Sequence, residues 1–187
     1  MDFLFDLWLP IVVSAVLVFI TSSIFHMALP IHKSDYRKVG DEAAFLAAMR
    51  AAGVGPGHYM FPMCSSMKDM NSPEMAEKYR QGPVGFMTIL PSGPVALGKS
   101  LATWFLFCLI VGVFTAYVTG LALVPGEEYL MVFRIGGAVA TLGYALTHFV
   151  DSVWKGMAWS ITIKFIGEGV VYGLLTAGVF AWLWPGI

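Results

Sequence analysis

The chain has 187 residues, of which 58% are hydrophobic, 14% aromatic and 12% charged, with a formal net charge of −1. Such a balance, with a mean hydropathy of +0.75, excludes an ordinary soluble domain, and the near-neutral charge gives no sign of nucleic-acid binding. The length leaves room for four membrane spans and one modest extramembrane domain, and Cys64 and Cys108 lie in segments too different in polarity to be expected as a disulfide.

The first expected span runs from Leu7 to Leu29. Pro10 sits in its opening turn, where a missing amide costs nothing, and Pro30 stops it. It reads as a membrane helix rather than a cleaved signal, because acidic Asp2 and Asp6 stand where a signal carries basic residues and the apolar run is too long.

The segment from Pro30 to Lys99 is too long for a structureless tether in so compact a protein, and is expected to fold. Asp41-Glu42 opens an alanine-rich helix, EAAFLAAMRAA, that stops at Gly53. Pro56-Gly57 turns into a short strand, HYMFP. Ser72-Pro73-Glu74 starts a second helix, with a Ser cap and Pro in the first position, that ends near Gly82, and VGFMTIL reads as a second strand.

Three further spans follow: Leu101 to Leu123, Leu130 to Val150, and Ala158 to Leu183, each near or above the ~20 residues that a ~30 Å hydrocarbon core demands. Trp8, Trp104, Trp154, Trp159, Trp182 and Trp184 fall near the expected ends, as an interfacial belt places them. Lys33, Arg37, Lys38, Arg50, Lys68, Lys78, Arg80 and Lys99 all lie between the first two spans, while the VPGEEY connection holds no basic residue. The positive-inside rule then puts the long segment in the cytoplasm and both termini on the periplasmic side. The expected fold class is a membrane all-α protein, a four-transmembrane-helix bundle with a small cytoplasmic α/β insertion between helices 1 and 2.

Small residues line two of the spans at helical spacing: Gly112, Ala116 and Gly120, then Gly169, Gly173, Ala177 and Ala181. Such ridges let helix backbones approach closely, more often within one chain than across a dimer.

The fourth span also carries a polar stripe, Ser160, Lys164, Glu168, Tyr172 and Thr176, repeating every fourth residue. An ionisable residue at a helix centre costs roughly 2.5–3.5 kcal/mol on insertion scales and therefore needs a partner or a task. Glu168 lies roughly 15 Å from the start of its span and Lys164 roughly 9 Å. Thr141, Tyr144, His148 and Asp151 make a second stripe on span three, and Ser22 and His26 sit near the inner end of span one. The candidate buried polar cluster is Lys164, Glu168, Tyr172, Tyr144, His148, Asp151 and His26. One reading is a Lys164/Glu168 pair that fixes helix register; the other is a cytoplasm-facing pocket or proton path.

A second constellation is HYMFPMCSSMKDM, with His58, Met60, Met63, Cys64, Met67 and Met70. Thioether and thiolate donors suit copper(I), although a Met stripe more often packs against apolar surface. No CxxC, HExxH or GxSxG motif accompanies it, and the GKS of PSGPVALGKS lacks the glycine spacing and preceding strand of a phosphate loop.

The phrases PIHKSDYRKVGDEAAF, PGHYMFP, QGPVGFMTILPSGP, AYVTGLALVPG and GLLTAGVFAWLWP together resemble an uncharacterised bacterial inner-membrane family with four predicted spans. The resemblance covers nearly the whole chain. It implies the fold, a membrane location and a bacterial origin, and it brings no reaction, cofactor or partner. With no catalytic signature, the expectation leans away from an enzyme and toward a scaffold, accessory subunit or membrane-associated binding module without a cofactor, acting as a homo-oligomer or a subunit of a membrane complex. The alternatives are a proton- or ion-coupled transporter built on Lys164 and Glu168, and a copper-handling protein using the Met-rich loop.

Overall fold

The computed structural model of the protein describes residues 3–94 and 96–186, so Asp2 lies outside it. In chain order the elements are α1 (Phe3–Asp6), α2 (Trp8–Ser23), α3 (Glu42–Ala51), β1 (Gly57–Phe61), α4 (Met67–Met70), α5 (Pro73–Gln81), β2 (Gly85–Ile89), α6 (Leu97–Ala122), α7 (Tyr129–Tyr144), α8 (Phe149–Lys155) and α9 (Trp159–Trp182). They form two units, one of residues up to Tyr36 together with those from Ala96 onward, the other of the residues between. Residues 30–36 and 96–99, assigned from the sequence to the insertion, thus group with the long helices.

Four stretches are long and apolar enough to cross a membrane: Trp8–Ala28, Leu97–Ala122, Tyr129–Lys155 and Trp159–Trp182. They close into a ring in which α2 packs on α6 and α9, while α7 packs on the same two helices. The small-residue ridges are what make the ring tight. A methyl group placed on Gly112 of α6 would lie 3.2 Å from Ile11 of α2, and one on Gly169 of α9 would lie 2.6 Å from the backbone of Tyr144 and Ala145. Both ridges therefore serve contacts within the chain.

Two groups of buried side chains fill the ring. Ala15, Val18, Cys108, Val111, Ala140, Tyr144 and Tyr172 form one, and Leu7, Ile11, Ala116, Val132 and Phe180 form the other. Buried Thr115 and Thr176 satisfy their hydroxyls on their own helices: Thr115 donates to the Val111 carbonyl at 2.9 Å and Thr176 to that of Tyr172 at 2.9 Å. This back-bonding removes the cost of an unpaired hydroxyl in an apolar interior.

Two irregular turns shape one end of the ring. Helix α2 loosens into a π-turn over Ile24–Ala28, and the chain then breaks at Leu29, which is extended because Pro30 follows. A 3₁₀ turn over Pro30–His32 carries the chain back toward the helices. Helix α7 likewise ends in a 3₁₀ turn, Leu146–His148, before α8; Gly156, at φ 69°, makes the left-handed turn into α9.

The unit between Arg37 and Pro94 contains α3, α4, α5 and one antiparallel hairpin pairing β1 with β2, from Gly57 opposite Ile89 to Phe61 opposite Gly85. Asp41 caps α3 by accepting from the Ala44 amide at 2.9 Å, and Ser72 caps α5 by accepting from the Met75 amide at 3.2 Å. The Ser72 cap is the one the sequence predicts; Asp41, expected as part of an acidic first turn, is itself the cap of α3. The four-residue α4, with Ser66 as its cap, is additional to the elements read from the sequence.

Candidate functional site

The polar groups of the helical unit converge where the two irregular turns meet the first half of α9. Glu168, with 7% of its side chain exposed, lies nine residues into α9, roughly 14 Å from its start. One carboxylate oxygen, Oε1, lies 2.5 Å from His32 Nε2; the other, Oε2, lies 3.3 Å from His26 Nε2 and accepts from the Tyr172 hydroxyl at 3.3 Å. The two imidazoles are stacked, with ring centroids 4.3 Å apart and planes 20° from parallel. Phe165, one helical turn before Glu168, lies 5.1 Å from the His32 ring and 5.9 Å from that of His26.

His32 is held at both nitrogens. Its Nδ1 lies 2.5 Å from Asp35 Oδ2, and Asp35 Oδ1 in turn accepts from Lys164 Nζ at 2.6 Å. Lys164 Nζ also donates to the Ile31 carbonyl at 2.8 Å and to the Ser34 hydroxyl at 3.1 Å. The result is one chain of contacts, Lys164 to Asp35 to His32 to Glu168, with His26 and Tyr172 at its end. Partial burial alone would lower the His32 pKa, but hydrogen bonds to Asp35 and Glu168 carry it above the ordinary histidine value. Asp35 is pulled below the usual carboxylate range, first by the Lys164 ammonium and then by His32.

Lys164 and Glu168, neighbours on one face of α9, thus bond in different directions. Among the described residues their ion-pair partners are Asp35 for the lysine and the two histidines for the glutamate. The remaining candidates are placed around this centre rather than within it. Tyr144 sits with its ring 5.8 Å from that of Tyr172 and donates to the Cys108 carbonyl at 3.4 Å. His148 stacks on Phe165 at 5.1 Å. Asp151 pairs with Lys155 at 2.7 Å and approaches His148 at 3.8 Å.

His32 and Asp35 were not among the residues that sequence reasoning singled out. They lie just beyond the end of the first span, in PIHKSDYRK, where the basic residues drew attention as topology signals only. The available signal was a histidine and an aspartate three residues apart, beginning two residues after a helix-ending proline, a spacing at which a tight turn lets the two side chains meet.

A cavity of about 470 Å³ opens beside this centre. Its walls are largely apolar and aromatic, with Leu101, Trp104, Phe107 and Phe165 prominent, and Glu168, His26 and Tyr172 supply polar groups. Trp104, read from the sequence as an interfacial anchor, lies two turns into α6, where it lines the cavity and donates from its indole nitrogen to the Ser22 hydroxyl at 2.8 Å.

In the other unit, His58 Nδ1 lies 3.1 Å from the Thr88 hydroxyl across the hairpin, and Cys64 Sγ lies 3.2 Å from the Tyr79 hydroxyl. Met60, Met63, Met67 and Met70 are all exposed, Met63 and Met67 to more than two thirds. The His, Cys, Asp and Glu donors that converge within 4.8 Å, among the described residues, are those of His26, His32 and Glu168. Comparisons of the chain with models of known families, with curated proteins and with solved structures find no match.

Proposed function

We propose that this chain is a multi-pass membrane protein of the bacterial inner membrane that binds a membrane-soluble small molecule with a flat polar head in the cavity beside Glu168. The insertion then lies on the cytoplasmic side, consistent with the basic residues between the first two spans. Of the expectations of scaffold, accessory subunit and binding module, the cavity favours the third.

The observation that carries this reading is the pairing of about 470 Å³ of apolar, aromatic-walled space with a small set of polar groups. Binding pockets commonly take this form, because apolar walls supply affinity and a few fixed polar atoms supply orientation. Trp104, Phe107 and Phe165 present ring faces for a planar head, while His26, Tyr172 and Glu168 offer hydrogen bonds to its edge.

The test is a titration of the protein, in nanodiscs, with a decyl-tailed benzoquinone and separately with decanol, which has the tail without the planar head. A saturable change in tryptophan emission with the first, lost in Trp104→Phe and in the cavity-filling Leu101→Trp, supports the reading. Equal responses to both probes, or a response untouched by Leu101→Trp, overturn it.

A second reading draws on the unbroken chain from Lys164 through Asp35 and His32 to Glu168. Such chains of acids and histidines within apolar helices are typical of proton routes. Proton uptake into liposomes that Glu168→Gln abolishes would favour it; equal, absent uptake in both proteins would remove it.

A further inference from the structure

We propose that His26, His32 and Glu168 bind one divalent first-row transition-metal ion, tying the turn that follows α2 to α9. The donor set of two imidazoles and a carboxylate suits zinc, iron, manganese or cobalt rather than calcium or magnesium. This inference rests on the polar centre itself and does not require that the cavity bind a small molecule.

Three features of the geometry support it. The donor atoms of all three residues already lie within 4.8 Å of one another. Ligands at about 2.0–2.1 Å in a tetrahedral shell stand roughly 3.3 Å apart, and the His26 Nε2 to Glu168 Oε2 separation is 3.3 Å. The His32 Nε2 to Oε1 contact, at 2.5 Å, is closer and has to open by about 0.8 Å to reach that separation. That contact is a hydrogen bond, so the ion enters as its bridging proton leaves to solvent, with His26 neutral and its proton on Nδ1 so that Nε2 is free to ligate.

The second feature is the far side of His32. Metal-bound histidines almost always give their other ring nitrogen to a carboxylate, a backbone carbonyl or water, which fixes ring orientation. Asp35 occupies this position at 2.5 Å from Nδ1, and Lys164 holds Asp35 in place at 2.6 Å. The third feature is access: His26, with 42% of its side chain exposed, and Glu168 both line the cavity, which gives an ion a path to the site.

The experiment uses the full chain in mild detergent, purified with a tag that contains no histidine, stripped with a chelator and desalted. One equivalent of cobalt(II) chloride is added, excess is removed by dialysis, and the visible d–d bands and metal content are measured; zinc chloride is then used in competition. The expected result is about one cobalt per chain, with bands that zinc removes. His26→Gln and His32→Gln are expected to weaken binding at least tenfold, and Asp35→Asn about 10- to 100-fold, as for outer-shell partners elsewhere. His58→Ala, in the other unit, is expected to leave binding unchanged.

No retained cobalt in the wild-type chain overturns the proposal, as does retention that His26→Gln and His32→Gln leave intact or that His58→Ala abolishes. His26→Gln is the decisive variant. Its side chain is half-exposed, with one long polar contact to Glu168 beside its stacking on His32 and its ring contact with Phe165, so the fold is expected to persist better than with Glu168→Gln, which removes a buried carboxylate. An unchanged elution profile on size exclusion verifies that.

Discussion

Glycines at two neighbouring positions of α9 should respond in opposite directions to the same substitution. Gly169 faces α7 so closely that an added methyl group would stand 2.6 Å from the Tyr144 carbonyl and the Ala145 Cα, whereas Gly167 has nothing within 4 Å of that position. Ordinary contact begins near 3.4 Å, so Gly169→Ala requires the two helix backbones to part by about 0.8 Å. The obstructing atoms are main chain, and no rotamer change can relieve them. Overpacking of this kind costs about 1–3 kcal/mol, offset by at most about 1 kcal/mol of improved helix propensity.

The net expectation for Gly169→Ala is a loss of about 1–2 kcal/mol, and for Gly167→Ala a gain of up to about 1 kcal/mol. For a chain of this length each kcal/mol moves the melting temperature by roughly 2–4 °C. Thermal unfolding in one detergent, followed by the surviving monodisperse fraction on size exclusion, should place Gly169→Ala roughly 2–8 °C below the wild type and Gly167→Ala at or above it. A Gly169→Ala protein as stable as the wild type would refute the close approach of α7 and α9, and with it the geometry that sets Tyr144 beside Tyr172.

Two further outcomes follow from the polar contacts. Lys164→Met leaves the enclosed Asp35 carboxylate without its lysine, and Asp35→Asn leaves Lys164 without its acid. Each single variant should melt lower than the double variant Lys164→Met/Asp35→Asn, and a strictly additive double-mutant cycle would show that the pair is not coupled. Trp104→Phe removes the bond to Ser22 that joins α6 to α2, at a cost of about 0.5–1.5 kcal/mol. Once Trp104 is gone, Ser22→Ala should cost much less in a melting experiment than it does in the wild type.

The long helices were legible in the sequence because apolar runs bounded by proline and glycine depend on local chemistry alone. The cap at Ser72 was legible for the same reason: its hydroxyl and the amide it accepts from lie three residues apart in the chain. Of the partners of Glu168, His26 and Tyr172 fall in the cluster read from the sequence, and His32 does not. His32 is separated from Glu168 by 136 residues, and reaches it because a π-turn and an extended Leu29 turn the chain back on itself. Periodicity places Lys164 and Glu168 on one face of α9 but is silent on that return, so the nearest opposite charge on the same helix was the natural pairing to expect. Helix α6 begins at Leu97, four residues before the apolar run does, so Trp104 lies two turns inside the helix and in the wall of the cavity, a role that its place near the end of the apolar run does not reveal.

The charge arrangement also accounts for how acidic and basic groups are tolerated among apolar helices. Lys164 and Asp35 cancel, and a His32 carrying a proton at both nitrogens would cancel a Glu168 carboxylate, which would make the chain of contacts neutral as a whole. In the membrane proposed here the cost of burial then falls on a neutral, hydrogen-bonded cluster rather than on an isolated carboxylate near the middle of a span, a far smaller penalty. Neutrality, however, is met equally by a structural clamp, and it does not require Glu168 to border a cavity. That a cluster balanced in this way lies open at His26 and Glu168 to an aromatic-walled space is what favours the proposed binding role over simple helix cohesion, since a clamp would be most stable sealed from every side.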